Sequence, residues 1–381
     1  MRLNNIPAFL LSGGKMKVQR KRGRVLTLLL KTAAWVLVVL LQPCISLAAQ
    51  EAPEIRHLFT RAQQGYLEDQ LKLGRALQLG LGVRQDPSEA AHWMLQAANQ
   101  GDPSAQTDVG YRYLTGDGLS RDEQKALQWF QRGAAENYAP AQFALAVLLL
   151  NGTDIHPDLP QAVNWFTRAA RQGFQPAEVN LGIAYARGVG VARDDIEAMH
   201  WFQKAARQHS APAEFLLGTM YETGRGAAKS YAEAGRWYRR AAAQGYAPAQ
   251  TNVGVLYEIG LDVPSDMKEA VKWYRRAAEQ GEGTGCTNLA RAYANAHGVE
   301  QDAGLAYFWA LIAKHDPSPI SQRPSQEFME GLHSRISPEQ LAAIEAKAAD
   351  WIQKHPSAPR EWVAVDPGAE SAMAGDFVKA K

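Results

Sequence analysis

Histidine and cysteine are the side chains of this sequence best suited to catalysis or metal binding, but their spacing groups none of them into a site. The nine histidines are scattered, and His92 and His200, which occupy equivalent places, lie 108 residues apart. No His-x-x-x-His, Cys-x-x-Cys or carboxylate cluster has the spacing of a metal site. The nucleophile motif Gly-x-Ser-x-Gly is also absent. The sequence therefore predicts no enzyme, no cofactor and no metal.

Glycine-rich segments are the other candidates for chemistry, because such loops can bind phosphate. Gly188-Val189-Gly190 and Gly224-Arg225-Gly226 lack both the preceding strand and the Lys-Ser/Thr pair of a phosphate-binding loop. They also recur 36 residues apart. We interpret them as tight turns between two helices of a repeating structure.

One tryptophan recurs with a fixed period of 36 residues along most of the chain. The seven copies are Trp93, Trp129, Trp165, Trp201, Trp237, Trp273 and Trp309. A period of this size is typical of a solenoid, in which one helix pair is stacked on copies of itself. Because the tryptophans occur at helical spacing within an alanine-rich face, we expect them in the core rather than in a ligand cage.

The residues around each tryptophan predict the second helix of the pair. Ala270, Trp273, Tyr274, Ala277 and Ala278 follow the i, i+3, i+4, i+7, i+8 spacing of one apolar helix face. Charged residues fall on the opposite face. No strand pattern appears in the repeats.

Capping residues mark where these helices begin and end. Aspartates precede the second helix and suit an N-cap: Asp194, Asp266 and Asp302. Glycines follow that helix, where a positive φ ends it: Gly101, Gly173, Gly245 and Gly281. Asn137 and His209 replace this glycine in two copies. A proline often opens the next helix, where its missing N–H costs nothing.

The full pattern resembles the Sel-1-like repeat, a relative of the tetratricopeptide repeat. One copy contains Leu181-Gly182, Tyr185, Gly188-Val189-Gly190-Val191, Asp194, Ala198, Trp201-Phe202 and Ala205-Ala206. The resemblance covers 66–314 and implies an all-α, right-handed α/α solenoid of seven 36-residue helix pairs. Members of this family serve as adaptors and scaffolds, often in bacterial envelopes, so the resemblance implies a protein or peptide partner.

The first 49 residues have the organisation of a secretory signal peptide. They contain eight basic residues and no acidic one, then an apolar run from Ala33 to Leu41 and a small-residue site. We expect cleavage after Ala48 or Ala49, with Met16 a possible true start. The protein would then be exported to the periplasm or outside the cell.

An uncleaved anchor is the alternative for this segment, because residues 25–41 are largely apolar. Lys31 interrupts them, and about 20 apolar residues are usually needed to span a bilayer. A membrane-tethered scaffold is nevertheless kept as the alternative interpretation of this segment.

Removal of the leader would change the sign of the net charge. The full chain has 41 basic and 39 acidic residues, whereas 33 basic and 39 acidic residues remain after position 49, a net charge of −6. A mildly acidic protein lacks the basic surface expected of a nucleic-acid binder. We therefore expect no nucleic-acid partner.

The repeats are flanked by further segments on both sides. A partial leading helix is expected at 50–65, because Ala62 and Gly65 lie one period before Ala98 and Gly101. After the repeats, a helical cap is expected at 315–354, where Ser337 and Gln340 form a capping-box signature. The proline- and alanine-rich segment 355–381 is expected to be a disordered tail.

Cys286 is the single cysteine left after removal of the leader, so no intrachain disulfide can form. It occupies a position held by Gln or Glu in other copies, and we expect a small, partly covered structural residue. A reactive thiol is the less favoured interpretation, because no activating neighbour is in view.

The exposed side of the first helix of each pair is the best candidate for binding. We number helix A from zero at Ala249 and at the equivalent residue of each other repeat. Positions three, six and ten of each helix A then point away from its buried stripe. The candidate contact residues at these positions are Asp108, Asn180, Arg187, Asn252, Asn288 and Arg291. In tetratricopeptide-like solenoids this side lines the concave surface, where a row of Asn could bond a peptide backbone. The asparagines could instead bond neighbouring helix ends.

The sequence thus predicts a non-catalytic scaffold or adaptor of the cell envelope that binds a protein or peptide on this face. A cell-wall amide hydrolase with β-lactamase-like activity is a disfavoured alternative. It is considered because cysteine-rich relatives have been linked to penicillin-type ligands. The chain lacks both their disulfide framework and a recognisable nucleophile–base pair.

Overall fold

The computed structural model describes residues 53–316 and 323–355, and this part of the chain is built from helices, with no strand. The seventeen helices are α1 Pro53–Gln63, α2 Leu67–Leu79, α3 Pro87–Asn99, α4 Pro103–Thr115, α5 Glu123–Ala135, α6 Ala139–Asn151, α7 Leu159–Arg171, α8 Gln175–Arg187, α9 Asp195–Arg207, α10 Ala211–Thr223, α11 Tyr231–Ala243, α12 Ala247–Ile259, α13 Met267–Ala278, α14 Gly283–Asn295, α15 Ala303–His315, α16 Gln326–His333 and α17 Pro338–Lys354. The predicted all-α fold is confirmed. The predicted leader and the tail beyond His355 lie outside the described residues.

Helices α2 to α15 form seven repeats, each with a helix A followed by a helix B. Repeat 1 consists of α2 and α3, and repeat 7 of α14 and α15. By their contacts the residues divide into two compact units, 1–96 and 97–381. The first has its own small core, in which Ala62, Leu73 and Trp93 are buried.

The second unit is a series of helix pairs. Each helix from α4 to α15 packs against the next one in the chain, first within a repeat and then across to the following repeat. Helices α16 and α17 pack on α15, where Met329, Leu332 and Leu341 share a buried cluster with Tyr307. Helix pairs therefore stack in sequence order, as in a solenoid.

Local signals set the helix ends as the sequence predicts. The side chains of Asp194, Asp266 and Asp302 accept hydrogen bonds from backbone N–H groups in the first turns of α9, α13 and α15. The glycines that follow helices B have positive φ: Gly101, Gly173, Gly245 and Gly281. Asn137 and His209 keep the same left-handed conformation, with φ of 57° and 60°. The period thus fixes the backbone even where the glycine is lost.

A glycine of helix A lies against an aromatic ring of helix B in four of the repeats. The pairs are Gly110 with Phe130, Gly182 with Phe202, Gly218 with Tyr238 and Gly254 with Tyr274. A Cβ placed on Gly182 would lie 2.5 Å from Cε1 of Phe202. The ring therefore occupies the space that a side chain would need, and the two helices approach closely.

In repeats 2 to 6 the aromatic residue that follows the tryptophan is more deeply buried than the tryptophan itself. Phe202 and Tyr274 are each 1% exposed. Trp93 and Trp201 are buried, but the other five repeat tryptophans are half-buried. In five repeats a cationic group three residues later lies 4.2–4.6 Å from the tryptophan ring centroid: Arg132, Arg168, Lys204, Arg240 and Arg276. The tryptophans thus form the edge of the core and carry cations on their outer faces.

The seam between consecutive repeats depends on the first turn of helix A. In four repeats a glutamine there donates its Nε2–H to a carbonyl at the end of the preceding helix B: Gln70 to Ala62, Gln106 to Ala98, Gln142 to Ala134 and Gln250 to Ala242. Glu178 and Glu214 take this position in repeats 4 and 5, and both are buried. An ionised carboxylate cannot donate to that carbonyl, so these two seams lack the bond that the other repeats make.

The close approach of helices A and B leads to a stability prediction. Gly182→Ala should lower the free energy of unfolding by about 1–2 kcal/mol, because its Cβ overlaps the Phe202 ring. Gly331→Ala in α16 is the matched control, since nothing lies within 4 Å of the added carbon. This control should be neutral or stabilising by up to about 1 kcal/mol, because alanine favours a helix. Thermal melts of both variants measure the difference, and equal melting temperatures would contradict the assigned contact.

The seam at Glu178 leads to a pH-dependent prediction. Burial raises the pKa of Glu178, although the charges of Lys204 and His200 and the Gln208 amide oppose the shift. A raised pKa means that the protonated form stabilises the fold below about pH 4.3, the ordinary value for glutamate, and that this contribution is lost as the pH rises through the folded-state pKa. Glu178→Gln should therefore raise the melting temperature at pH 7, and by less as the pH falls toward 4. Gln142, to which Gln172 donates at 2.8 Å, shows that the amide fits this position.

Glu300→Gln, at an exposed glutamate in a loop, controls for the loss of one negative charge. Melts of both variants across this pH range give the comparison. A Glu178→Gln variant that is less stable than the wild type at pH 7 would contradict the role assigned to this carboxylate.

Candidate functional site

The helix A side is the inner side of the second unit. Helix α4 packs on α6, and α12 packs on α14, so consecutive helices A approach one another. In the part of this unit that the structure describes, no two consecutive helices B pack as closely. A partner bound on the inner side would therefore contact helices A.

A cavity of about 40 Å³ opens on this side between α8 and α10. Its lining comes from both helices A, together with one ring from each of α9 and the chain before α12. The residues are Ile183, Ala186, Arg187, Phe202, Pro212, Phe215, Leu216, Thr219, Met220 and Tyr246. We call this cavity and its lining residues the inner groove. Most of its surface is apolar.

Core contacts fix the position of the groove wall. The Phe215 ring centroid lies 5.7 Å from that of Tyr238 and 5.5 Å from that of Tyr246. Tyr238 is itself held, because its hydroxyl donates to Glu222 inside the core. Burial raises the pKa of both groups, so the neutral phenol and the bond it donates are favoured. Phe215 therefore rests on a rigid support.

The other end of the groove is anchored to the next repeat. Arg225, between the two glycines of the loop after α10, donates to the Ala186 carbonyl and to Asp195, with one bond to Asp195 at 2.5 Å. Arg193 also pairs with Asp195, at 2.8 Å. Charge pairing with Arg225 and Arg193 lowers the pKa of Asp195 against the opposing effect of burial, so this carboxylate stays ionised. The end of α8, which carries Arg187, is thereby held in place.

Three of the predicted contact residues lie on α4 and α8, with different degrees of access. Asp108 is half-buried and forms an ion pair with Arg112 at 2.5 Å. Asn180 is 4% exposed, and its Nδ2 donates to the Pro176 carbonyl at 2.9 Å. Arg187 is half-buried and lines the inner groove. Asp108 and Asn180 are not among the residues that line this groove.

The other three predicted residues lie on α12 and α14. Asn252 is half-buried, and its side chain bonds the Tyr238 hydroxyl. Asn288 is half-buried as well. Arg291 is exposed, and its positive charge opposes the rise that burial produces in the pKa of Tyr274. The six predicted residues therefore lie along four helices A and are not gathered in one pocket.

Sequence reasoning missed the apolar part of the groove. The expected row of polar residues at position three is interrupted by Ala144 and by the larger Leu216, which Phe215 precedes. The signal was available in the sequence, because Asp108, Asn180, Asn252 and Asn288 occupy position three in other repeats. A residue that departs from the period on an exposed face points to a local function.

Two features of the described residues bear on catalysis, the arrangement of potential metal ligands and the burial of the free cysteine. They contain no group of three or more His, Cys, Asp and Glu side chains that could hold a metal ion. Cys286 is fully buried rather than partly covered, and burial raises the pKa of its thiol. Its Sγ lies 3.6 Å from the Ala278 carbonyl, the place where a glutamine donates in other repeats. The thiol therefore replaces a structural amide.

No helix in the described ranges has the length and apolar character required to cross a bilayer.

Comparisons with known proteins agree with this architecture. The family model described as Sel1 repeat matches seven consecutive segments, 67–102, 103–138, 139–174, 175–210, 211–246, 247–282 and 284–314. No curated protein matches the chain.

Two solved structures are similar over most of the chain. A protective antigen present in uropathogenic Escherichia coli strains, displaying an SLR fold, is 27% identical over 86% of this chain and 67% of its own, with a TM-score of 0.69. A Sel1 repeat protein from Oxalobacter formigenes is 33% identical over 74% of this chain and 80% of its own, with a TM-score of 0.62.

Proposed function

Because the chain belongs to the Sel1 repeat family, whose members generally mediate protein–protein interaction, we propose that it is a non-catalytic scaffold that binds a protein or peptide partner on its helix A side. The observation that carries this proposal is the inner groove between α8 and α10. It combines an apolar floor with a cationic edge on the side where helices A converge.

The repeating core supports this role, because it leaves the inner side free to vary. Each repeat is stabilised by its own helix pair and by its neighbours, as in other solenoids. Phe202 and Tyr246 line the inner groove and also belong to a glycine–aromatic contact and a helix N-terminus. The other lining residues take no part in the glycine–aromatic contacts or the helix caps, so their side chains can serve recognition without loss of these contacts.

The chemistry of the groove favours a polypeptide partner. Apolar walls such as Phe215 and Leu216 can bury side chains of a partner polypeptide. The chain after residue 49 carries a net charge of −6, which does not favour a nucleic acid.

A hydrolase acting on cell-wall amides has no comparable support. The cysteine after the leader is buried with a raised pKa, whereas a nucleophile needs access and activation. No feature of the inner groove supplies an accessible nucleophile–base pair. Binding is therefore the function that the geometry supports best.

The proposal predicts that charge reversal on the inner side will weaken partner capture. The double variant Arg187→Glu/Arg291→Glu should lower affinity for the partner about tenfold or more, because both cations lie on helices A. The control is Arg171→Glu/Arg207→Glu, which makes the same charge change at exposed positions of helices B. Tagged full-length protein is expressed in its source cells, captured partners are identified by mass spectrometry, and Kd is measured with the purified partner.

Loss of binding in the inner variant alone, with an unchanged melting temperature, supports a helix A site. Equal binding by both variants would place the site elsewhere and overturn the proposal. Absence of any specific partner would count against the scaffold function itself.

We also propose that the protein works in the cell envelope after cleavage of its leader. The support is the basic, then apolar, then small-residue organisation of residues 1–49. Mass analysis of the protein from source cells should find an N-terminus at Ala49 or Gln50. An intact N-terminal segment in the membrane fraction would favour the tethered scaffold instead.

A further inference from the structure

We propose that the outer side of repeats 2 to 6 binds a linear polysaccharide that carries carboxylate groups along its length, through cations that recur on five successive helices B. None of the residues involved lines the inner groove. The inference therefore goes beyond the proposed function and does not depend on it. Neither the family match nor the similar structures assign a ligand to this side.

Three positions of each helix B form one patch of surface, because residues three and four apart are neighbours on a helix. They are the residue before the repeat tryptophan and the second and third residues after it. The fifteen residues at these positions around Trp129, Trp165, Trp201, Trp237 and Trp273 are called the basic face. All of them are exposed or half-buried. Nine are Arg or Lys, and none is Asp, Glu or an apolar residue.

Positive charge is concentrated on the helices B of these repeats. Their five sequences contain 13 Arg and Lys against 5 Asp and Glu, whereas the five helices A contain 2 against 5. The helix dipole favours cations in the last turn. It does not account for Arg236 and Lys272, which precede the tryptophan in the middle of helix B. The basic face is therefore a local feature of a chain whose residues after position 49 are acidic on balance.

Stacking on tryptophan holds one cation of the basic face in the same place in each repeat. The cationic groups that lie 4.2–4.6 Å from the ring centroids belong to Arg132, Arg168, Lys204, Arg240 and Arg276. Such contacts restrict the side chain, so less conformational freedom is lost when an anion binds. Arg240 also pairs with Glu214 at 2.6 Å. Within the described ranges, no ion pair involves Arg132, Arg168 or Arg276.

Neutral hydrogen-bonding side chains accompany the cations in repeats 2 to 4. Gln128 and Gln131 share the basic face with Arg132, and Asn164 shares it with Arg168. An amide offers both a donor and an acceptor, which suits the hydroxyl groups of a sugar. A guanidinium offers a planar pair of donors, which suits a carboxylate. A polymer of acidic sugars carries both groups on each unit, so it matches this combination.

Other classes of partner match the basic face less well. Single-stranded nucleic acids stack their bases on aromatic rings, but cations cover the tryptophans here. A protein interface has an apolar core, which the basic face lacks. Helices A of consecutive repeats pack more closely than the described helices B do, so the outer side is convex. A flexible chain can follow a convex row of cations, whereas a flat lipid surface meets only part of it.

The test measures binding of end-labelled polygalacturonate to the protein purified from its source cells, by fluorescence anisotropy. The fully methyl-esterified polymer is the matched ligand, because it keeps the sugar backbone and loses the negative charges. The acid form should bind at least about tenfold more tightly, because charge-assisted hydrogen bonds are lost in the ester. Raising the salt concentration about fourfold should weaken binding by about tenfold or more, since contacts to a polyanion release its bound counterions.

A triple variant assigns this binding to the basic face. Arg132→Gln/Arg168→Gln/Arg276→Gln should weaken binding of the acid form by about tenfold or more, because three of the stacked cations are lost. The control Arg335→Gln/Lys347→Gln/Lys354→Gln removes as many exposed cations from the C-terminal helices and should leave the affinity unchanged. Every variant carries the same first 49 residues, so their basic side chains do not affect the comparison. Melting temperatures show that each variant is folded.

Equal binding of the acid and the ester, an undiminished affinity of the first variant, or no binding of polygalacturonate overturns the inference. Polyglutamate, single-stranded DNA and vesicles of anionic phospholipid are measured alongside. Tighter binding of any of these, lost in the first variant, would show an anionic partner of another class and overturn the assignment to a polysaccharide. Capture of a partner on the helix A side is measured separately, so either proposal can fail while the other stands.

Discussion

The close approach of a helix A glycine to a helix B side chain is the contact on which the rest of this structure depends. In four repeats the ring of Phe or Tyr fills the space above the glycine, and it sets how near the two helices lie. In the other three repeats the helix A glycine, the helix B aromatic residue or both are replaced. Gly74 faces the thinner side chain of Met94, and repeat 7 has Ala290 and Ala310 at the two positions, both fully buried. Repeat 3 carries Ala146 with Phe166 in one buried cluster. Because the depth of this contact sets where helix A lies, it also sets where the inner groove opens.

Contacts between repeats also require a residue without a side chain at one close approach, and Asp262 is an exception to this rule. The second glycine of the loop usually lies against the start of the preceding helix B. A Cβ on Gly226 would be 2.4 Å from the Asp195 carbonyl oxygen. In repeat 6 Asp262 takes this place with φ of 70°, and Gly235 of α11 leaves room for its carboxylate, which pairs with Arg239 at 2.6 Å. Elsewhere the equivalent of Gly235 is a larger residue such as Val163 or Met199. Two substitutions in neighbouring repeats thus compensate each other.

The period explains why so much of the fold could be predicted and why the groove could not. Seven copies of one pattern average out local noise, so helix ends, N-cap aspartates and terminal glycines were visible in the sequence. The depth order of the aromatic pair was less visible, because Trp201 and Phe202 both fall on the apolar face and the interhelix distance decides between them. The groove was missed because it depends on residues that differ between repeats, such as Phe215 and Leu216. A prediction from the consensus pattern treats such residues as random variation between copies and assigns them no function.

Specificity in such a protein has to come from the positions where its copies differ. A contact shared by all repeats stabilises each of them and cannot distinguish one place on the inner side from another. Arg187 occupies position ten, where other repeats have Thr115, Asn151 or Ile259. Leu216 at position three and Thr219 at position six are likewise found only in repeat 5 among the seven repeats. The seams on either side of α8 are also those where Glu178 and Glu214 replace the usual glutamine. Three departures from the period therefore meet around one groove, while the glycine–aromatic contact continues unchanged through repeats 4 and 5. A fold held by its repeating contacts can tolerate such differences, and a site built from them can recognise a partner at one place along an otherwise uniform array.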